Sequence, residues 1–135
     1  RSMEKEYLAV TTGVPEPQKG ELRDWLLRDG KTNTSAVVAR GTSQAKEAVL
    51  DYEVEQVLED GQQALVHIWL HTGRHHQIRV QLASIGCPIV GDTKYNPELT
   101  GNKGWQTIRL CAYKLDFKHP VTHKAMHFQL EADPA

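Results

Sequence analysis

HTGRHHQIRVQLASIGCPIVGDTKY, residues 71–95, is the stretch at which the chain changes from a strand-like to a helical pattern. Within it, apolar residues recur at the i, i+4, i+7 spacing of one helix face: Ile78, Leu82 and Ile85. Thr72 is a suitable N-cap and Gly86 a suitable C-terminal stop. The pattern therefore predicts a helix over residues 74–85, followed by a loop.

Alternating side chains predict a β-hairpin immediately before this helix. The runs AVLDYEVEQVL (48–58) and QALVHIWLHT (63–72) both alternate with a period of two, which is the period of a strand. Residues 59–61, Glu-Asp-Gly, are typical of a hairpin turn. One predicted face of the first strand carries Leu50, Tyr52, Val54 and Gln56.

Shorter strand candidates lie on both sides of this hairpin. They are KEYLAVTT (5–12), AVVAR (36–40), TIRLCAYKLDF (107–117) and AMHFQLEA (125–132). In the third run we expect the face of Cys111, Tyr113, Leu115 and Phe117 to be the more buried one. Residues 20–29, GELRDWLLRD, fit either a helix or a short strand. Many strands with few helices predict an α+β fold with a mostly antiparallel mixed sheet.

The composition is that of one globular domain with no overall basic character. The chain has 135 residues, and 16 Lys and Arg against 17 Asp and Glu give a net charge of -1. Any nucleic-acid binding must therefore depend on a local cluster of positive charge. We assign residues 3–135 to the domain and interpret Arg1 and Ser2 as a cloning scar.

The chain carries no pattern for a membrane or for secretion. No apolar run approaches the roughly 18 residues of a membrane-spanning helix, and the N-terminus lacks a signal-peptide pattern. Cys87 and Cys111 form no CxxC pair, which favours a reducing compartment and two buried thiols. We expect a cytoplasmic protein with no membrane partner.

Residues 71–95 resemble a segment of the RluA-type RNA pseudouridine synthases, commonly written TGRxHQIRxHLxxxGxPIxGDxxYG. The residues in register are Thr72, Gly73, Arg74, His76, Gln77, Ile78, Arg79, Leu82, Gly86, Pro88, Ile89, Gly91, Asp92 and Tyr95. Gln81 departs from the pattern, because the family usually has histidine there. The run KEYLAV resembles the K-x-Y-L-A segment of the same family, and residues 110–134 resemble its closing segment, which we take as structural.

The resemblance implies roles for several residues. Arg79 would pair with the catalytic aspartate and keep it ionised, and Tyr7 would stack against the target uracil. We expect Arg74, His76 and Lys94 to contact substrate or RNA, since a helix start with arginines favours an anion. The alternative is that both arginines only cap and solvate an amphipathic helix.

The resemblance implies no cofactor, and the histidines do not predict a metal. His67, His71, His75 and His76 cluster along the hairpin and the helix start, but their spacing matches no zinc signature. We therefore expect them to be solvated or hydrogen-bonded. The expected partner is RNA, either rRNA or tRNA.

The family's nucleophilic aspartate, which lies in an HRLDxxTSG-like segment, has no counterpart in this sequence. Asp51 lies in the middle of a strand and Asp92 belongs to the GDxxY motif, so neither replaces it. We therefore interpret the chain as the C-terminal part of a catalytic domain that isomerises uridine to pseudouridine, inactive by itself.

Two other hypotheses remain open at this point. The chain could be a degenerate module that binds structured RNA through Arg74, Arg79, Lys94 and Lys103 without catalysis. It could also be an interaction domain that forms a homodimer through an exposed sheet edge.

Overall fold

The computed structural model describes residues 5–96 and 108–113, which form an antiparallel sheet with one helix on one face. The elements in chain order are β1 Glu6–Thr12, β2 Lys19–Asp29, β3 Thr34–Val38, β4 Lys46–Leu58, a 3-10 turn Glu59–Gly61, β5 Gln63–Leu70, α1 Gln77–Ser84 and β6 Leu110–Tyr113. The strand order is β3-β2-β4-β5-β1-β6, and every pair is antiparallel. The predicted α+β class is confirmed.

The predicted hairpin forms from β4 and β5 around the 3-10 turn. Asp60 and Gly61 both have positive φ, at 55° and 90°, which is the backbone conformation that such a turn requires. A register shift between Val54 and Gln56 interrupts the alternation of β4. Gln56 is therefore exposed and does not share the buried face of Leu50 as the sequence predicts.

Residues 20–29, whose sequence fits either a helix or a strand, lie in β2. Here β2 pairs with β4 along most of its length and with β3 at its C-terminal end. Leu26 is buried while Arg23 is exposed, which matches the alternation of a strand. Pairing decides this state, because β4 supplies backbone partners along residues 19–26 and β3 supplies them along residues 25–29.

The main core lies between the sheet and α1. Ile78 and Leu82 of α1 are fully buried against strand residues that share one face of the sheet. The largest of these strand residues are Tyr7, Leu50, Tyr52, Ile68 and Leu110. A smaller apolar cluster on the opposite face is formed by Leu8, Val10 and Leu65.

The helix is shorter than the sequence predicts. It begins at Gln77 and not at residue 74, because His76 has a left-handed backbone with φ of 55°. Thr72 is not its N-cap, and no side chain caps the helix at His76. Ile85 follows the last helical residue and is 37% exposed, so it does not extend the apolar face.

The burial of β6 also differs from the prediction. Leu110 is fully buried in the main core, whereas Cys111 is only partly buried. Pairing of β6 with β1 places Leu110 beside Ala9, on the face that α1 covers. Ile108 and Arg109 of the predicted strand at 107–117 precede β6. Residues 107 and 114–117, the predicted strand at 125–132 and Lys103 lie outside the described residues.

The helix of the described part of the chain is too short to cross a membrane.

Candidate functional site

The loop between β5 and α1, residues 71–76, is fastened to the backbone of β4. The side chain of Thr72 accepts a hydrogen bond from Val49 N at 2.9 Å and donates one to Gln77 Oε1 at 2.8 Å. Gln77, which is fully buried, donates from Nε2 to Val49 O at 3.1 Å and accepts from Arg74 N at 2.9 Å. The Thr-Gly-Arg and Gln positions of the motif thus form one hydrogen-bonded turn.

Arg74 is held by this turn near the start of β4. Its Nε donates to Glu47 O at 2.7 Å, and its side chain is partly exposed. A backbone carbonyl is a neutral acceptor, so this contact positions the guanidinium without neutralising its charge. Arg74 therefore keeps the charge that an anionic ligand would need.

Arg79 lies inside the protein and pairs with Asp92. Its Nε donates to Asp92 Oδ2 and its Nη2 to Asp92 Oδ1, both at 3.0 Å. Asp92 Oδ1 also accepts from the backbone amides of Lys94 and Tyr95, at 2.9 and 3.1 Å. Asp92 is 1% exposed and Arg79 is 8% exposed, so the ion pair is enclosed.

This enclosure excludes Asp92 as a nucleophile in the structure described. Both of its oxygens accept hydrogen bonds, and almost none of its surface is open to a substrate. Asp51 lies on the face of the sheet opposite α1, where Oδ2 is 3.0 Å from His71 Nε2. Neither aspartate is placed to attack a base bound beside Arg79.

Tyr95, the last residue of the GDxxY motif, links the ion pair to the edge of the sheet. Its ring lies 5.3 Å from the Arg79 guanidinium carbon. Its hydroxyl accepts from Ser35 N at 2.9 Å and lies 2.6 Å from His76 Nδ1. The motif is therefore an anchor, in which Asp92 holds Arg79 and Tyr95 holds the edge strand β3.

His76 is buried and does not present its ring to solvent. It is 3% exposed and stacks on His75, with ring centroids 3.8 Å apart. Burial and the nearby positive charge of Arg79 lower the pKa of His76 to about 3. The ring is neutral at physiological pH and is hydrogen-bonded to the Tyr95 hydroxyl, so a direct contact with RNA is not open to it in this arrangement.

Tyr7 and Lys94 lie in different surroundings. Tyr7 is 7% exposed and packs in the main core with Ile78 of α1. Lys94 is exposed, and its Nζ donates to Asn33 O at 3.0 Å. The structure thus places Arg74 and Lys94 at the surface and Tyr7, His76 and Arg79 inside.

Gln81, at the position where the motif usually has histidine, makes a buried contact with β2 and β4. Its Nε2 donates to Asp24 Oδ2 at 2.9 Å and to Ala48 O at 3.2 Å. Its Oε1 is buried without a hydrogen-bond partner among the described residues. The amide of Gln81 thus supplies two N–H donors for these two acceptors, whereas a neutral histidine ring supplies one.

Sequence reasoning did not identify Asp92 as the partner of Arg79, nor Gln77 as the residue that orders the loop. Both lie within residues 71–95. A buried arginine needs an acid, so the one acid of this segment, Asp92, could have been recognised as the partner of Arg79. No sequence pattern predicts that Asn33 and Ser35 contact His75 and Tyr95. They lie on a separate hairpin that only the fold brings to this loop.

Comparisons with known proteins agree on one family. The family model described as RNA pseudouridylate synthase matches residues 1–84. An uncharacterized RNA pseudouridine synthase of Aquifex aeolicus is 32% identical over 136 residues, covering 96% of this chain and 38% of the relative. The tRNA pseudouridine synthase C of Pasteurella multocida is 32% identical over 139 residues, covering 92% and 56% respectively.

A solved structure shows the same architecture. Human RNA Pseudouridylate Synthase Domain Containing 1 superposes with a TM-score of 0.67 at 26% identity, over 82% of this chain and 47% of that one. The chain thus spans 38 to 56% of the length of these three proteins. The sequence match, the antiparallel sheet and the ordered arginine motif lead to one conclusion: the chain belongs to the RNA pseudouridylate synthase family.

Proposed function

We propose that this chain is the C-terminal part of the catalytic domain of an RluA-type RNA pseudouridine synthase, with RNA as its substrate. The observation that carries the proposal is the way Asp92 holds Arg79. Asp92 engages two of the five N–H donors of the guanidinium and fixes its plane. In residues 5–96 and 108–113 no acceptor contacts the other three donors, and a second carboxylate is the partner that suits them.

In this proposal the second carboxylate is the nucleophilic aspartate of an HRLD-type segment in the whole protein. Arg79 would keep that aspartate ionised, because an adjacent positive charge favours the charged form. The carboxylate attacks C1′ of the ribose as the bond from C1′ to N1 of the base breaks, and the freed base rotates. C5 of the base then attacks C1′ and displaces the carboxylate. Loss of the C5 proton and protonation of N1 complete an isomerisation that needs no co-reactant.

The other residues would support this step from fixed positions. Tyr7, on β1, is the proposed partner of the uracil ring, and Arg74 and Lys94 are the proposed contacts to RNA. His76 is assigned a positioning role through Tyr95, because it is buried. The relative from Pasteurella multocida is named for tRNA, so tRNA is the first RNA to test.

The test is pseudouridine formation in a uridine-containing tRNA transcript. We expect the full-length protein to convert uridine, its Arg79→Gln variant to lose at least about 100-fold in rate, and Lys19→Gln, on the exposed side of β2, to be unchanged. We expect the 135-residue chain alone to form no pseudouridine. Conversion by the chain alone, or full activity of Arg79→Gln, would contradict the proposal.

A full-length protein that binds RNA but converts no uridine would favour the alternative, a binding module without catalysis.

A further inference from the structure

A cleft of about 310 Å³ opens where the end of β2 meets the start of β4. Strand pairing places Leu26 opposite Lys46 and Arg28 opposite Ser35, so these four side chains share one face of the sheet. The loop that precedes α1 closes the other side of the cleft. The lining residues are Leu26, Arg28, Ser35, Lys46, Gly73, Arg74 and His75.

The lining has positive charge and no acid. Arg28, Lys46 and Arg74 are cationic, and no Asp or Glu of the described ranges lines the cleft. None of the three cations forms an ion pair with a carboxylate of a described residue. In a chain whose net charge is -1, this cluster is the local basic site that nucleic-acid binding would need.

Neutral oxygens hold two of these cations, Arg28 and Arg74, in place. Asn33 Oδ1 lies 3.1 Å from Arg28 Nη2 and 3.1 Å from His75 Nε2, and Asn33 O accepts from Lys94 Nζ at 3.0 Å. Arg74 is likewise bound to a backbone carbonyl. Two cations, Arg28 and Lys94, therefore contact one neutral residue of the β2–β3 turn.

We propose that this cleft binds a phosphate of the RNA backbone, with Arg28, Lys46 and Arg74 as its ligands. The inference rests on the proposed function for its choice of RNA and adds Arg28 and Lys46, which lie outside the arginine motif. A phosphodiester suits the site because its oxygens accept from several N–H donors at once. Arg74 lines the cleft, and its backbone amide is bound to Gln77 at the start of α1. A phosphate held by Arg74 would therefore fix the position of the RNA relative to α1.

The experiment compares two charge-matched double variants of the chain. Arg28→Gln/Lys46→Gln removes two cations from the cleft, and Lys19→Gln/Arg23→Gln removes two from the opposite face of β2. Binding of a uridine-containing RNA hairpin is measured by fluorescence anisotropy at several salt concentrations. We expect the cleft variant to bind about tenfold more weakly, with a salt slope smaller by about one, and the control variant to change little.

A second measurement uses inorganic pyrophosphate, followed by NMR chemical shifts of the loop residues Gly73 to His75. We expect these signals to move in the parent and to move much less in the cleft variant. Circular dichroism of both variants checks that the fold is kept.

The outcomes separate the two proposals. If RNA binds and the cleft variant behaves like the control variant, the cleft assignment fails while the proposed function stands. If pyrophosphate moves the loop signals but RNA does not bind, the anion site stands and RNA as its ligand fails, together with the proposed function. If pyrophosphate moves no signal in the cleft, the anion site itself is overturned.

Discussion

Arg79 and Asp92 meet in a two-point ion pair inside the protein, with Nε to Oδ2 and Nη2 to Oδ1 both at 3.0 Å. Asp92 lies in the turn after α1, and Arg79 lies in the first turn of α1. Because the pair is enclosed, it orients the guanidinium and also couples the turn to the helix.

Asp92→Asn is expected to destabilise the fold strongly. It leaves the buried Arg79 charge without a carboxylate, which costs roughly 3 to 5 kcal/mol of the free energy of unfolding. Urea denaturation followed by circular dichroism measures the loss. Asp60→Asn, at an exposed turn position with φ of 55°, is the matched control and should change stability little. Equal effects of the two variants would refute the structural role of the pair.

Gln77→Glu is expected to loosen the loop before α1. The charged side chain can still accept from Arg74 N, but it can no longer donate to Val49 O, and it brings a carboxylate into a fully buried site. We expect a loss of about 3 kcal/mol or more in the free energy of unfolding. Gln56→Glu, at an exposed position of β4, should be nearly neutral. A neutral Gln77→Glu would show that the side chain does not order the loop.

His76 is expected to make the fold sensitive to acid. Its pKa in the folded protein is about 3, against an ordinary value of 6.5. Between pH 3 and pH 6.5, His76 is therefore protonated in the unfolded chain and neutral in the folded protein. Stability should therefore fall as pH drops from about 6.5 towards 3. His76→Asn, which tolerates the left-handed backbone, should show a shallower fall in urea titrations across this range. A parent slope in His76→Asn would contradict the assignment.

Tyr95→Phe is expected to release the edge strand β3 from the GDxxY turn. The variant removes the acceptor for Ser35 N, a bond of 2.9 Å. Hydrogen exchange of the Ser35 amide should become faster. The amide of Ala36, which lies opposite Leu27 of β2, should change less and is the internal control. Unchanged exchange at Ser35 would mean that the hydroxyl does not protect this edge.

We also predict a homodimer at high concentration through the edge of β3. Within the described residues β3 is the outermost strand on its side of the sheet, and Val37 on it is 41% exposed. Val37→Lys should weaken the dimer in sedimentation, since a charge on an edge strand opposes strand pairing. Val57→Lys, at a similarly exposed position of β4, should leave it intact. A parent chain that stays monomeric at high concentration would rule the dimer out.

The local sequence pattern was enough to predict those elements whose side chains alternate with a clear period. The period of the side chains accounts for the alternation of β5, for that of β4 up to Val54, and for the apolar face of Ile78 and Leu82. The residue types at 59–61 account for the turn. The arginine motif likewise indicated the family from its ordered spacing. These features need only neighbours in the chain, and the sequence by itself determined them.

Long-range contacts decided the rest. The sequence left residues 20–29 undecided between helix and strand, and only pairing with β3 and β4 made them a strand. It suggested a helix from residue 74, but the bonds between Gln77, Thr72 and β4 hold the loop open until residue 77. It did not identify an acidic partner for Arg79 within the chain, and the fold brings Asp92, thirteen residues away, into contact with it. The cleft between Arg28, Lys46 and Arg74 exists only in three dimensions, because its charges come from two strands and a loop that no sequence period connects.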